Sequence, residues 1–300
     1  MSTLVYPGYR GSVLDQAAER FDASATRAPL AGPEAVIDAV AAARADIGVV
    51  AVSTPAGILV TTALDRIVDA GLVILGEIVV PATVALMVPR DERGGWPRLV
   101  ASPLATASRC GRFFRDHPDV LLQVTTQLEG WLAAQEASGV GGYGVLAPAS
   151  AADAFGLTVL VDAVDDDPDA ALTCAAIGRP ETRDTLHLPP PTTTLVAFAV
   201  PNESGALHRA LSVFAIRDVD ITSLTLRRES TSHPRAATFY ATLNVAASDP
   251  KCVRALEHLR EQTSEVRVLG TFATTADAPH ARAHVAQGFE WDLPESRADL

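Results

Sequence analysis

The regular alternation of short apolar runs with amphipathic helical segments is the feature that most limits how this chain can fold. The run STLVY is followed by the glycine loop PGYRGS and the helical segment LDQAAERF, and PEAVIDAVAAARA is followed by the apolar run DIGVVAV. Comparable pairs continue as far as LTVLVDAV. Strands that alternate with helices are typical of parallel or mixed sheets covered by helices. We therefore predict an α/β fold for residues 1–180.

The pattern changes at residues 181–191, ETRDTLHLPPP. Three consecutive prolines cannot continue a helix or a central strand, so we interpret this segment as a linker. Beyond it, residues 192–274 follow the order strand, helix, strand, strand, helix, strand, which predicts a ferredoxin-like βαββαβ unit. Residues 275–300 are polar and irregular. A length of 300 residues suits two such domains.

Charge and cysteine usage exclude several classes of partner. The net charge of −12 argues against nucleic acid or an anionic membrane as the main partner. Three widely spaced cysteines without a Cys-x-x-Cys motif indicate a reducing cytosol, and the first twelve residues show no secretory signal. His280 and His284 have helical ligand spacing but lie in the polar segment. We predict a cytoplasmic protein without a metal or another cofactor.

Short motifs spread over residues 4–274 resemble those of the prephenate dehydratase family with a C-terminal ACT domain. The motifs include YPGYRGS (6–12), GVV (48–50), LD (64–65), GEI (76–78), FGL (155–157), IGR (177–179), GAL (205–207) and LG (269–270). The resemblance implies a two-lobed catalytic domain like a periplasmic binding protein, followed by the ACT domain at 192–274. The lobes are expected at about 1–80 plus 160–180 and at 81–159.

Two motifs of that family are absent where catalysis would need them. The family's Glu-Asn-Ser should lie at 53–55, where this chain has Ser53-Thr54-Pro55. Its Thr-Arg-Phe falls, without gaps, on Leu172-Thr173-Cys174. A slip of one residue would match Thr173 to the threonine but would still leave Cys174 in place of the arginine. The arginine survives in neither register.

These positions carry the chemistry that the resemblance implies. Dehydration of prephenate expels a hydroxyl group as the ring carboxylate leaves, and the family threonine is the implied proton donor for that hydroxyl. An arginine can clamp a carboxylate through two hydrogen bonds, which a cysteine cannot do. We therefore take Leu172, Thr173, Cys174, Ser53 and Thr54 as the altered catalytic positions. Losing both groups should slow dehydration by orders of magnitude.

The sequence is compatible with three functions. The favoured one is a prephenate lyase that decarboxylates without aromatising, like a family branch that serves antibiotic pathways and hence secondary metabolism. Decarboxylation needs no acid at the hydroxyl, only a dry carboxylate and a proton delivered to a ring carbon. The alternatives are a genuine dehydratase, which would make phenylpyruvate for phenylalanine biosynthesis, and a catalytically dead, amino-acid-sensing regulatory protein.

A prephenate-like dicarboxylate needs anion-binding groups, and several lie at predicted helix starts, where backbone N–H groups attract anions. The candidates are Arg10, Ser12, Ser102, Thr125 and Thr126. An ordinary structural role is the competing interpretation for each of them. Ser102 could simply cap a helix, and Thr126 with Glu129 has the spacing of a capping box.

The C-terminal part suggests a regulatory ligand and self-association. By resemblance, phenylalanine or a related effector would bind beside Gly205, Ala206 and Leu207. The partner motif, Glu-Ser-Arg-Pro in the family, is replaced by a segment that contains Leu226 and Arg227. The apolar strands VAFAV and FYATLNV have edges that are commonly paired between subunits, so we predict a homodimer or a homotetramer.

Overall fold

The chain folds as a mixed α/β structure around two β-sheets, of nine and five strands. The computed structural model describes residues 2–54, 59–90, 96–139, 141–227 and 236–273. The predicted polar segment 275–300 lies outside the described residues. The predicted α/β fold class is confirmed, because both sheets are flanked by helices.

Strands and helices alternate from residue 3 to residue 81, as the sequence pattern predicts, and the strands β4, β5 and β6 then follow one another without a helix. The strands are β1 (Thr3–Pro7), β2 (Thr26–Leu30), β3 (Ile47–Ala51), β4 (Val73–Pro81), β5 (Ala85–Pro89), β6 (Leu99–Ser102), β7 (Leu121–Val124), β8 (Tyr143–Ala147), β9 (Leu157–Val161) and β10 (Ala171–Gly178). The helices are α1 (Val13–Phe21), α2 (Pro33–Ala41), α3 (Thr61–Asp69), α4 (Leu104–Ala107), α5 (Gly111–Asp116), α6 (Leu128–Ser138) and α7 (Pro180–Thr185). The predicted linker therefore begins as a helix, with Pro180 in its first turn.

These elements form two lobes, each with its own sheet. In the first lobe the strand order is β4-β10-β3-β1-β2, with β1 parallel to β2 and β3 and with β10 antiparallel to β3 and β4. In the second lobe the order is β7-β6-β8-β5-β9. The chain crosses between the lobes twice, after β4 and after β9.

One ion pair contacts both connections between the lobes. Arg109, in the second lobe, donates to the carbonyl of Ala82 at 2.6 Å and lies 3.1 Å from the Asp165 carboxylate. Asp165 in turn accepts from the N–H of Val84 at 2.9 Å, and its side chain is fully buried. Because Ala82 and Asp165 belong to different crossings, this contact limits how the lobes can move apart.

The C-terminal unit has the predicted order of elements. It consists of β11 (Thr193–Pro201), α8 (Ala206–Ala215), β12 (Ile221–Leu226), β13 (Ala236–Leu243), α9 (Pro250–Gln262) and β14 (Glu265–Phe272). Its four strands pair antiparallel in the order β12-β13-β11-β14. One face of this sheet packs against α8 and α9.

The sheet of the C-terminal unit continues into the first lobe. Strand β14 pairs in parallel with β4 where Gly270 lies opposite Ile74, which makes the two sheets one sheet of nine strands. A Cβ atom at position 270 would lie 2.5 Å from the carbonyl oxygen of Ile74. Glycine is therefore needed for this close approach.

Candidate active site at the ends of β3 and β10

The predicted catalytic segments meet at one edge of the nine-stranded sheet. Strands β10, β3 and β1 are neighbours, and β10 runs opposite to the other two. The loops that follow β1 and β3 therefore emerge beside the start of β10. Ligands of α/β proteins bind outside the carboxyl ends of parallel strands. Arg10, Ser53, Thr54 and Thr173 all belong to this edge.

The segments around Ser53 and Thr173 are hydrogen-bonded to each other. The backbone N–H of Thr173 donates to Ser53 Oγ at 3.0 Å. In return, the N–H groups of Val52 and Ser53 donate to the carbonyl of Thr173 at 2.9 and 3.2 Å. Ser53 is 5% exposed. Positions 53 and 173 thus form one connected site, although 120 residues separate them in the chain.

Alternation along β10 divides the Leu172-Thr173-Cys174 triplet between the two faces of the sheet. Thr173 lines a cavity on the face that α3 covers. Leu172 packs on the other face, against the core cluster that contains Leu4 and Tyr6. Cys174 belongs to that cluster and is 0% exposed. Burial raises the pKa of its thiol to about 12, so it is neither reactive nor open to a ligand.

The cavity has a volume of about 270 Å³ and lies between the first lobe and the C-terminal unit. Its polar lining residues are Ser53, Glu77, Thr173, Thr222, Ser223 and Thr242. The hydroxyl of Ser223 donates to that of Thr242 at 2.8 Å. Leucine, isoleucine, valine, alanine and phenylalanine side chains form the rest of the wall. The described lining residues include no lysine, arginine or histidine.

Glu77 is the functional candidate that the sequence reasoning missed. It lies in β4 opposite Ala175 of β10, and it is the single acidic residue of the strand VILGEIVVP. Burial raises the pKa of its carboxyl group to about 7. A carboxylic acid that titrates near neutral pH is suited to proton transfer. An isolated glutamate inside an apolar strand was the signal that could have identified it.

The predicted anion-binding residues of the first lobe have different environments. Arg10 is exposed and forms no hydrogen bond or ion pair with any residue in the described part of the chain. Ser12 is 9% exposed, and its hydroxyl caps α1 by accepting from the N–H of Asp15 at 3.2 Å. Arg10 is thus available to an anion at the edge of the site, while the hydroxyl of Ser12 already serves the helix.

Of the three predicted anion-binding residues in the second lobe, two have hydroxyl groups that bond to the backbone. Ser102 is completely buried, and its hydroxyl is directed at backbone carbonyl groups. Thr125 accepts from the N–H of Gln127 at 3.2 Å. The helix α6 begins after Gln127, so the capping box expected from Thr126 and Glu129 is wrong. Thr126 itself is exposed.

The glycine loop after β1 is held against the second lobe. The Ser150 hydroxyl donates to the carbonyl of Gly11 at 2.6 Å, and Gln16 Nε2 donates to Ser150 Oγ at 2.8 Å. The rings of Tyr9 and Phe155 lie 5.1 Å apart. Gly11 has φ +80°, and a Cβ atom there would lie 2.5 Å from the Ser150 carbonyl oxygen. These contacts bring the lobes together beside the candidate site.

The predicted effector segments lie at one end of the C-terminal sheet, where β11 and β12 finish. Gly205 is exposed, has φ +78° and precedes α8, whereas Ala206 is buried. Leu207 packs partly against the core of the unit. Leu226 is 55% exposed.

Arg227 joins the C-terminal unit to the first lobe. Its Nε atom lies 2.8 Å from the carboxylate of Asp65 on α3, without the alignment of a hydrogen bond. The hydroxyl of Tyr240 donates to the same carboxylate, and burial with this contact raises the pKa of that hydroxyl. The unit is therefore attached to the helix that follows the Ser53 segment.

Two kinds of feature are absent from the described ranges. No group of three or more metal-binding side chains comes together in them. None of their helices is both long and apolar enough to cross a bilayer.

Comparison with known proteins places this geometry in context. The family model for prephenate dehydratase matches residues 4–180. A prephenate dehydratase of Mycobacterium sp. (strain JLS) is 29% identical over 268 residues, which cover 86% of this chain and 81% of the relative. The structure of prephenate dehydratase from Arthrobacter aurescens in complex with L-Phe aligns with a TM-score of 0.76 and 25% identity, covering 93% of this chain and 94% of the other. GqqA, described as a novel type of quorum quenching acylase, aligns with a TM-score of 0.76 and 23% identity, over 91% and 98% of the two chains. At that identity the likeness to GqqA concerns the fold alone.

Proposed function

Because the chain belongs to the prephenate dehydratase family, we propose that it is a lyase that removes the ring carboxylate of prephenate without expelling the hydroxyl group. The names of the Mycobacterium and Arthrobacter relatives support prephenate as the substrate. The product would be a non-aromatic keto acid that retains the hydroxyl, which suits a role in secondary metabolism.

One observation carries this proposal: the backbone N–H of Thr173 donates to Ser53 Oγ beside a cavity whose described lining residues include no cation. The resemblance aligns Ser53 with the family's glutamate and Thr173 with its arginine. The family's carboxylate clamp is therefore missing from the place where the resemblance puts it. Leu172, at the position of the family threonine, packs into the core and offers no proton to a leaving hydroxyl. Dehydration loses its assistance, while decarboxylation does not depend on it.

The remaining groups support binding of a dicarboxylate in one orientation. Arg10 forms no hydrogen bond or ion pair among the described residues and lies at the same edge of the sheet, two strands from β10. We propose that it attracts the side-chain carboxylate of prephenate while the ring enters the cavity. The ring carboxylate would then lie among hydroxyl and apolar groups beside Glu77, where no cation of the described lining residues favours its retention.

Dehydration is the second candidate, and the naming of the relatives favours it. In that case another group must protonate the hydroxyl, and the product is phenylpyruvate. The two reactions are separable by mass, because dehydration removes carbon dioxide and water whereas decarboxylation removes carbon dioxide alone.

The test is incubation of the full chain with prephenate, followed by ultraviolet spectra and mass spectrometry. We expect a non-aromatic keto acid and little phenylpyruvate. The double substitution Leu172→Thr with Thr173→Arg should raise phenylpyruvate output through the arginine, which enters the cavity wall. Leu172→Thr alone should do little, because that side chain lies on the other face of β10. Rapid phenylpyruvate formation by the unmodified protein would overturn the proposal, and absence of any product would favour a purely regulatory protein.

A matched control introduces the same residue pair elsewhere. Leu121→Thr with Leu122→Arg places threonine and arginine in the exposed edge strand β7 of the second lobe. This variant should leave the product unchanged. A gain of phenylpyruvate there would show that the effect of the first pair does not come from the site.

We also propose that residues 192–274 are an ACT domain that binds phenylalanine or a related effector. The L-Phe complex of the Arthrobacter relative supports an effector of this class. Gly205, Ala206 and Leu207, with Leu226 and Arg227, are the proposed contacts. Equilibrium dialysis with labelled phenylalanine tests this, and Gly205→Val should abolish binding because position 205 has a positive φ.

A further inference from the structure

The cavity beside Ser53 and Thr173 contains an acid that the resemblance leaves without a role. Glu77 is the single carboxyl group among the described lining residues. We propose that Glu77 is the proton donor of the reaction and protonates a ring carbon as carbon dioxide leaves. This inference rests on the proposed decarboxylation.

The register of the sheet places the acid next to the altered site. Glu77 of β4 lies opposite Ala175 of β10, and Thr173 is two residues along β10 on the same face. Diagonal neighbours of this kind have Cα atoms roughly 7–8 Å apart. Ser53 Oγ accepts from the N–H of Thr173. A small ring seated between these residues can therefore contact the Glu77 carboxyl group and both hydroxyls at once.

The surroundings favour the protonated form of this carboxyl group. Two charged side chains of the neighbouring elements have contacts of their own: Asp65 on α3 contacts Arg227 and Tyr240, and Arg20 on α1 donates to a carbonyl of β4. Cys174 lies on the other face of β10 with a neutral thiol. Burial in a wall whose described residues include no cation raises the pKa of the acid to about 7. It can thus give up a proton and recover one from water in each cycle.

The step balances without a cofactor. The bond between the ring and its carboxylate breaks, and its electron pair forms a new ring double bond. The pair of the adjacent double bond moves to the far carbon and takes the proton of Glu77. The products are carbon dioxide, a non-aromatic keto acid that keeps its hydroxyl, and the Glu77 carboxylate, which water then reprotonates.

The decisive variant is Glu77→Gln in the full chain. We expect kcat for carbon dioxide release to fall by about 100-fold or more, the usual contribution of a positioned acid, with a smaller change in KM. Wild-type kcat should fall as pH rises through about 7, and the profile of the variant should lose this limb. In heavy water the wild type should place deuterium on one ring carbon in one configuration. Residual product of the variant should contain both configurations, because solvent then delivers the deuteron.

Two further variants separate the acid from the shape of the cavity. Thr222→Val changes the opposite wall, in the C-terminal unit, and should keep the pH profile and the single configuration whatever its rate. Glu77→Asp keeps an acid on a shorter side chain and should restore part of the lost rate. If Glu77→Gln does not fold, Glu77→Asp provides the test. A shift in the pH at which kcat falls would support Glu77 as the proton donor, and an unchanged pH would overturn it.

The outcomes distinguish this inference from the function on which it rests. In one outcome the wild type makes the non-aromatic keto acid, and Glu77→Gln has the same rate, pH profile and product configuration. This outcome would overturn the role of Glu77 but not the proposed function. A wild type that makes only phenylpyruvate overturns the proposed function and this role with it.

Discussion

Replacing Glu77 with glutamine should change how the stability of the protein depends on pH. Burial raises the pKa of this carboxyl group from 4.5 to about 7, so the folded protein holds the proton more tightly than the unfolded chain does. The stability that this provides is fully present below pH 4.5 and is lost as pH rises through about 7. Glutamine has a similar shape and does not titrate, so the stability of the variant should not decrease in this way as pH rises.

The size of the effect follows from the pKa shift. At about 1.4 kcal/mol per pKa unit, a change from 4.5 to about 7 corresponds to roughly 2.5 kcal/mol of lost stability between pH 5 and pH 8. The side chain keeps partial contact with solvent, so this figure is an upper estimate. The free energy of unfolding of Glu77→Gln, relative to the wild type, should therefore rise by about 1–2.5 kcal/mol over this range.

Urea unfolding at pH 5, 6, 7 and 8, followed by tryptophan fluorescence and circular dichroism, measures this difference. A hydrogen bond that glutamine fails to reproduce changes the free energy of unfolding by the same amount at every pH. This contribution therefore cancels when two pH values are compared. Glu181→Gln is the control, because its side chain is 70% exposed and the difference should stay flat. A Glu77→Gln difference that is equal at pH 5 and pH 8, or that falls as pH rises, would contradict a raised pKa of Glu77 in the folded protein.

Three other predictions follow from contacts outside the cavity. Gly11→Ala should lower the free energy of unfolding by about 1–3 kcal/mol, because position 11 has a positive φ and faces the Ser150 carbonyl oxygen; an unchanged thermal midpoint would contradict this. Asp65→Asn removes the charge that Arg227 and Tyr240 contact. Amide hydrogen exchange should therefore accelerate in α3 and β13 but not in the five-stranded sheet, and an equal change in all these elements would count against the prediction. Light scattering at micromolar concentration should give at least twice the chain mass of 31.4 kDa, and a monomer mass would rule out the expected homodimer or homotetramer.

Patterns of a few residues were enough to predict most of the architecture. Alternating apolar runs and amphipathic helices predict the α/β lobes, and the prolines at 189–191 mark where the pattern changes. The order of strands and helices after them predicts the βαββαβ unit. Each of these signals depends on neighbours in the chain, since helix and strand periodicity are local properties.

The composition of the candidate site depends on contacts between residues that are distant in the chain. Strand β10 returns to pair between β3 and β4, and this pairing turns Thr173 toward Ser53 and Glu77 while it buries Leu172 and Cys174 on the other face. No spacing in the sequence states which face a strand presents once it pairs with distant partners. The wall that the C-terminal unit adds to the cavity likewise depends on distant contacts, namely the approach of Gly270 to Ile74 and the contacts of Arg227 and Tyr240 with Asp65. The pKa of Glu77 is set by this enclosure, because the free energy of a charge depends on everything packed around it and not on its neighbours in the chain.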